Sequence, residues 1–347
     1  LSDEPASVSI GPTRIGAGRW ALAAGLLVIA ALAGLLVGAV PMSPSDVIAA
    51  LVDRLPFVSV DHSLGEVESR LLFEIRAPRV VMGGLVGAVL AVAGAGYQGV
   101  FRNPLADPYL LGVAAGAGLG ATAVIGLGAG SAAIPPVAFL GGIAAVGATY
   151  ALSRTVGGRT TTTLILAGVA VAAFATAVQT FLLQRNYETL REVYSWILGR
   201  LVTVGWGEVR TLVPYALVAS AVLVALRRLL DVLGLGDEEA VGLGVNVARV
   251  RRLVVLAATL ATAAAVSVSG LIAFVGIIVP HTIRLLTGWS YRVIIPLSLI
   301  FGASFLIVAD LLARTILAPA ELPIGVVTAF LGAPFFLLVL RTMRGSS

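Results

Sequence analysis

Lysine is absent from this chain of 347 residues, and so is cysteine. All 23 basic residues are arginine, which removes the lysine that a GxxxxGK(S/T) loop places on the terminal phosphates of a nucleotide. A nucleotide-hydrolysing domain of that kind is excluded. Without cysteine there is no disulfide, no thiolate nucleophile and no cysteine metal site. Histidine is scarce: His62 and His281 are the only two, and they lack any paired spacing such as HExxH, which argues against metal catalysis. Charged residues make up only 12% of the chain, and the net charge of +5 comes from arginines scattered among loops. That pattern fits positive cytoplasmic loops better than a nucleic-acid surface.

What is abundant is hydrocarbon. Hydrophobic residues make up 59% of the chain and the mean hydropathy is +1.02, so the bilayer is the solvent this sequence is written for. Its apolar stretches run about twenty residues, twice the length of alternating barrel strands, which selects helices. Small residues at helical spacing, Gly112-xxx-Gly116-xxx-Gly120 and Gly83-xxx-Gly87, predict close helix packing.

Apolar runs lie at 20–40, 80–100, 109–128, 133–152, 163–183, 209–229, 253–279, 293–312 and 323–340. The first is longer than the 7–15 residue core of a signal peptide and reads as a span. The run from Leu253 to Val279 reads by hydropathy either as one tilted helix or as the start of two, and the break at Ser267-Val268-Ser269-Gly270 argues for two, for ten spans in all. Ten spans put both termini in the cytoplasm, with residues 1–19 as an N-terminal arm. They also put 14 arginines inside and 9 outside, the expected bias. Residues 41–79 then form an external loop with a short amphipathic piece at Val47–Val52, and residues 231–252 a cytoplasmic loop.

Four groups of residues stand out. Asp237, Glu238 and Glu239 open a short helix that Gly242 and Gly244 end. Acidic residues suit that helix end, and the segment reads either as a solvated loop or as a docking helix for a cytoplasmic partner. Arg76 and Arg79 flank Pro78 at the start of the second span, and Arg314 closes the ninth. These three could snorkel to headgroups or meet carboxylates of an external partner. Asn103-Pro104-Leu105-Ala106-Asp107-Pro108 is a rigid connection, read either as a tight turn or as a constriction at the inner mouth of a pore, joined by Thr160, Thr161, Thr162 and Thr163. Asp310 is an intramembrane carboxylate whose spacing from Arg314 favours a local ion pair over a proton relay. His281 and Arg284 sit one turn apart at a span end, in a structural role.

Taken together, RAPRVVMGGLVGAVLAVAGAGYQGVFRNPLADPYLLG (76–112), LILAGVAV (164–171), GDEEAVGLGVNVARVR (236–251) and the stretch from SGLIAFVGIIVPHTIRLL to the end of the last span (269–341) resemble the FecCD family. These are the permease subunits of type II ABC importers for iron–siderophore complexes, haem and cobalamin. The resemblance implies an all-α integral membrane fold of ten spans, a second permease copy around a central pathway, and an external substrate-binding protein. It also implies two cytoplasmic ATPase subunits that carry ATP and Mg, so that no cofactor is bound by this chain. It favours Arg76, Arg79 and Arg314 as docking arginines. It assigns Asp237, Glu238, Glu239, Ala240, Leu243 and Gly244 to a coupling helix, and Asn103, Leu105, Thr161 and Thr162 to a cytoplasmic gate. The implied cargo is an iron complex, with cobalamin as the alternative. Two positions depart from the pattern: Ala273 stands where Gly is common, and Gly288-Trp289-Ser290-Tyr291-Arg292 replaces GxDHR. A secondary transporter would need buried mid-membrane carboxylates and often inverted repeats, for which Asp310 is thin support. A membrane-embedded enzyme lacks a catalytic constellation.

Overall fold

The computed structural model describes residues 14–38, 40–155, 161–201 and 205–344. All regular structure among them is helical: α1 (Ala17–Leu36), α2 (Pro44–Asp53), α3 (Glu66–Arg70), α4 (Ala77–Phe101), α5 (Val113–Gly126), α6 (Ile134–Thr155), α7 (Thr161–Arg185), α8 (Leu190–Ile197), α9 (Gly207–Leu233), α10 (Asp237–Gly242), α11 (Val247–Ser269), α12 (Val275–Thr287), α13 (Tyr291–Thr315) and α14 (Ile324–Arg344). Seven helical runs are long and apolar enough to cross a membrane: α1, α3 with α4, α6, α7, α9, α11 and α13. Three apolar helices are shorter, namely α5, α12 and the Ile324–Leu337 part of α14. Every expected apolar run thus holds a helix. At 1.5 Å per residue, however, α5 and α12 reach only about 20 Å, short of the roughly 30 Å hydrocarbon core.

The helix lengths repeat. α4, α5, α6 and α7 have 25, 14, 22 and 25 residues, and α11, α12, α13 and α14 have 23, 13, 25 and 21. The two sets interlock, with α4 packed on α13, α11 on α6, and α4 on α11 at the centre. α4, α11 and α13 are buried along most of their length, whereas α1, α6, α7 and α9 keep most of theirs on the outside, as helices facing hydrocarbon do.

Glycine sets how closely these helices approach. Gly94 of α4 lies against the Gly276 carbonyl at the start of α12, where even a Cβ would collide, and Gly87 meets Gly302 of α13 in the same way. Gly116 and Gly120 pack on Gly141 and Val137, as their spacing predicts. Gly112 has a different job: it precedes α5 with φ +84°, the left-handed region that glycine enters freely.

The predicted break at 267–270 is real. α11 ends at Ser269 and α12 begins at Val275, leaving irregular backbone inside the bundle, where each polar group needs a protein partner. The Tyr109 hydroxyl donates to the Ile272 carbonyl at 2.9 Å and accepts from the Ile272 N–H at 3.1 Å. Arg200 N–H donates to the Ser269 carbonyl, and the N–H groups of Ile324 and Gly325 donate to Gly199 and Leu198. The stretch at 41–79 differs from expectation in its second half. The chain is helical from Glu66, and a π-helical segment, Leu71–Arg76, joins α3 to α4 in one run of 36 residues. The amphipathic piece is α2, which buries Val47 and Ala50.

Gly94→Ala should lower the unfolding temperature of the detergent-solubilised chain, with a cost of about 1–3 kcal/mol from overpacking. Gly147→Ala, at a helical position with open space around it, should leave it unchanged or raise it. Equal effects would contradict the packing described.

Candidate docking and gating sites

The three singled-out arginines come together around one shallow cavity of about 280 Å³, with Glu321 beside them. None of them is a free cation. Arg76 is buried and donates to the carbonyls of Leu35, Leu36 and Val40, the last of α1 and the chain just beyond it. Arg314 donates to the Gly34 carbonyl at 2.6 Å. Both cap the C-terminal end of α1, where unpaired carbonyls carry partial negative charge. Snorkelling to headgroups does not describe them.

Arg79 is held by two forks. Its Nε and Nη2 donate to Asp310 at 2.9–3.1 Å, and its Nη1 and Nη2 donate to the two oxygens of Glu321 at 2.9 Å each. Bidentate pairing of this kind is the strong, directional form of an ion pair. Asp310 also pairs with Arg314 at 3.5 Å, so the expected local pair exists, but the closer partner lies on α4. A carboxylate pinned by two guanidiniums makes a poor proton relay. Three guanidiniums against two carboxylates leave the cluster with one net positive charge. Glu321, in the turn before α14, is half exposed, and the hydrogen bonds from Arg79 hold its carboxyl below the ordinary glutamate range. Glu321 escaped the sequence reading, although it is the only charge in the turn ILAPAELP.

α10 is the predicted helix at 237–242, with Asp237, Glu238 and Glu239 in its first turn. Asp237 accepts from Arg102 at 2.6 Å and from Arg251 at 3.2 Å, tying α10 to the end of α4 and the start of α11. Ala240 is fully buried, so it anchors the helix from within and is not a contact residue for a partner. Glu238, Val241, Leu243 and Gly244 are exposed, and two of these are large apolar side chains offered to solvent.

In the gate region, two successive turns build the segment from Arg102 to Gly112. The Asn103 Oδ1 accepts from the Leu105 N–H at 2.9 Å, and the Asp107 Oδ1 accepts from the Tyr109 N–H at 2.6 Å, the Asx geometry that favours these residues in turns. Asn103 is exposed and Leu105 half-buried. Thr161 and Thr162 lie on a different element, the first turn of α7, and Thr160 falls outside the described residues. His281 is buried edge-on against Phe335, and no group of three or more potential metal ligands occurs among the described residues.

The departure at Gly288–Arg292 has a structural explanation. Asp231, at the end of α9, accepts from the Ser290 hydroxyl at 3.0 Å and from the Tyr291 N–H, and pairs with Arg292 at 3.2 Å. A carboxylate from another helix thus caps the start of α13, the place where an acidic side chain offsets unpaired N–H groups.

The bundle and its clusters accompany a match to the model of the FecCD transport family over residues 26–342. The chain belongs to the FecCD transport family. Among FecCD relatives, the cobalamin import system permease protein BtuC of Halobacterium salinarum is 45% identical over 268 residues, covering 77% of this chain and 72% of the relative. The hemin transport system permease protein HmuU of Yersinia pestis is 40% identical over 282 residues, covering 77% and 82%. A solved inward-facing structure of a metal-chelate type ABC transporter superposes with a TM-score of 0.80 at 30% identity, covering 92% of this chain and 97% of that one. FecCD membership and the helical bundle make this a multi-pass membrane protein and a permease.

Asp310→Asn should destabilise the chain by about 1–3 kcal/mol, because it removes the buried charge partner of Arg79 and leaves that guanidinium only its half-exposed pair with Glu321. Adding Arg79→Gln should recover part of that loss in a double-mutant cycle measured by unfolding in detergent. Strict additivity would show that the two side chains do not interact.

Proposed function

We propose that this chain is the membrane-spanning subunit of an ATP-driven importer for a metal–organic complex, with a ferric siderophore or haem as the cargo. Cobalamin, the cargo in the name of the relative at 45% identity, is the specific alternative. The observation that carries the reading is the family match over nearly the whole chain, on a bundle that carries a cationic cluster at one end of α13 and an exposed apolar–acidic helix between α9 and α11.

The subunit works as one of two copies and crosses the membrane ten times, with both termini in the cytoplasm. It holds no ATPase site of its own, and ATP and Mg belong to two separate cytoplasmic subunits. Those subunits press on α10 through Glu238, Val241, Leu243 and Gly244, and Asp237 passes the displacement to α4 and α11 through Arg102 and Arg251. An external substrate-binding protein presents carboxylates to the Arg76, Arg79 and Arg314 cluster. Arg79 receives them in place of Glu321, which occupies the same fork in the isolated chain. Asn103 and Leu105, with Thr161 and Thr162, close the inner mouth once the second copy completes the ring. Transport is a shift between conformations, each favoured by a different set of partners.

Proteoliposomes holding the assembled transporter should take up cargo only with internal ATP and an added loaded binding protein, and should be indifferent to ion gradients. Uptake driven by a gradient without ATP would overturn the proposal. Glu321→Gln should tighten docking of the binding protein several-fold at low salt by releasing one fork of Arg79, with the gain shrinking as salt screens the charges. Unchanged affinity in a surface-binding assay would remove Arg79 from the docking site.

A further inference from the structure

A second cavity, of about 440 Å³, opens beside α10 and is lined by Gln98, Arg102, Asp231, Arg284, Trp289 and Arg292, among others. Arg284, in the last turn of α12, is only 3% exposed. Its Nη2 donates to the Tyr291 hydroxyl at 3.2 Å, while Nε and Nη1 have no hydrogen-bond partner. Among the described residues no carboxylate lies within ion-pair distance of it. Asp231 shares the cavity but already accepts from Ser290 and Tyr291 and pairs with Arg292. Arg102 is committed to Asp237.

A buried guanidinium without a counter-ion is strongly unfavourable. The faces of Trp289 and Tyr291, with centroids 5.2 and 5.8 Å from its carbon, offset only part of that cost. The missing element is an anion, and the surroundings say which kind. Arg102 and Arg292 are paired with Asp237 and Asp231, so one positive charge, that of Arg284, is left over; it matches a singly charged phosphodiester or dihydrogen phosphate, whose oxygens fit the planar fork of arginine. Trp289, which lines the cavity, is more than half exposed, as is Leu235 beside it, an apolar and aromatic border of the sort found at the level of lipid headgroups.

We propose that this cavity is a phosphate-binding site, taking either the headgroup of an anionic phospholipid or free phosphate, with Arg284 as its central ligand and the exposed Trp289 side chain as a movable cover. Because Arg102 lines the same cavity and holds Asp237, occupancy steadies α10. The site does not depend on the identity of the cargo or on docking at the other face.

The test uses the purified full chain in nanodiscs of phosphatidylcholine, of phosphatidylcholine with phosphatidylglycerol, and of phosphatidylcholine with added inorganic phosphate. Unfolding temperature and lipid retained in native mass spectrometry are read for each. The wild type should be stabilised by phosphatidylglycerol and retain it about tenfold over phosphatidylcholine, the scale of one lost charge-assisted contact. A response to inorganic phosphate alone assigns free phosphate, and a response to phosphatidylglycerol alone assigns the headgroup. Arg284→Gln should abolish the response yet be at least as stable as wild type in pure phosphatidylcholine, since it removes an uncompensated charge. Arg284→Lys, which keeps the charge without the fork, should respond weakly. The proposal is overturned if the wild type responds to neither phosphate source, or if Arg284→Gln keeps the response. It is equally overturned if Arg284→Gln loses stability alike in all three discs, or if only added ATPase subunits produce the effect, which would make the occupant a protein carboxylate.

Discussion

In hydrocarbon every backbone N–H and C=O must find a partner within the protein, and the placement of polar residues in this chain follows from that constraint. Regular helices meet it unaided. The difficulty arises at helix ends and breaks that lie inside the bundle, and there the chain uses its few polar side chains. The Tyr109 hydroxyl serves both polar groups of Ile272 in the break between α11 and α12. Arg76 and Arg314 take the last carbonyls of α1. Asp231 takes the first N–H of α13. Each of these residues also lies beside a candidate site.

The absence of lysine acquires a meaning in this light. A guanidinium can donate in a plane to two acceptors at once and stays charged when buried, and the outer cluster depends on both properties. Arg79 spans Asp310 on one side and Glu321 on the other, a bridge that an ammonium group could not make with the same geometry. The two carboxylates differ in exposure: Asp310 is sealed in and fixes Arg79 to the bundle, while Glu321 stands at the surface, where an incoming carboxylate can replace it. A rigid half and an exchangeable half suit Arg79 to the docking role proposed for it.

Much of this was legible in the sequence. The apolar runs located every long helix, the Ser267–Gly270 punctuation located the break, and three acidic residues followed by Gly242 located α10. The shortness of α5 and α12 was not legible, because hydropathy measures apolar length and cannot tell a helix from buried irregular backbone, as at 109–112. The repeated order of helix lengths was hidden for the same reason. α8 was missed because its eight residues, LREVYSWI, mix charged and aromatic side chains within a polar stretch. The capping of α1 by Arg76 and Arg314 was not legible because their acceptors are backbone carbonyls more than 35 residues away in the case of Arg76 and further still for Arg314, and carbonyls leave no trace in side-chain patterns. The resemblance assigned Ala240 to the coupling helix, and its burial turns its side chain inward.

The central claim is that the arginine cluster and α10 face opposite sides of the membrane, one for each class of partner. With no native cysteine, the chain offers a clean background for a direct measurement. Glu321→Cys and Val241→Cys, each made singly, can be treated with a membrane-impermeant maleimide in intact cells and in inverted vesicles. The account predicts that cysteine at 321 is labelled in intact cells and cysteine at 241 only in inverted vesicles. Labelling of both from one side, or the reverse pattern, would contradict it.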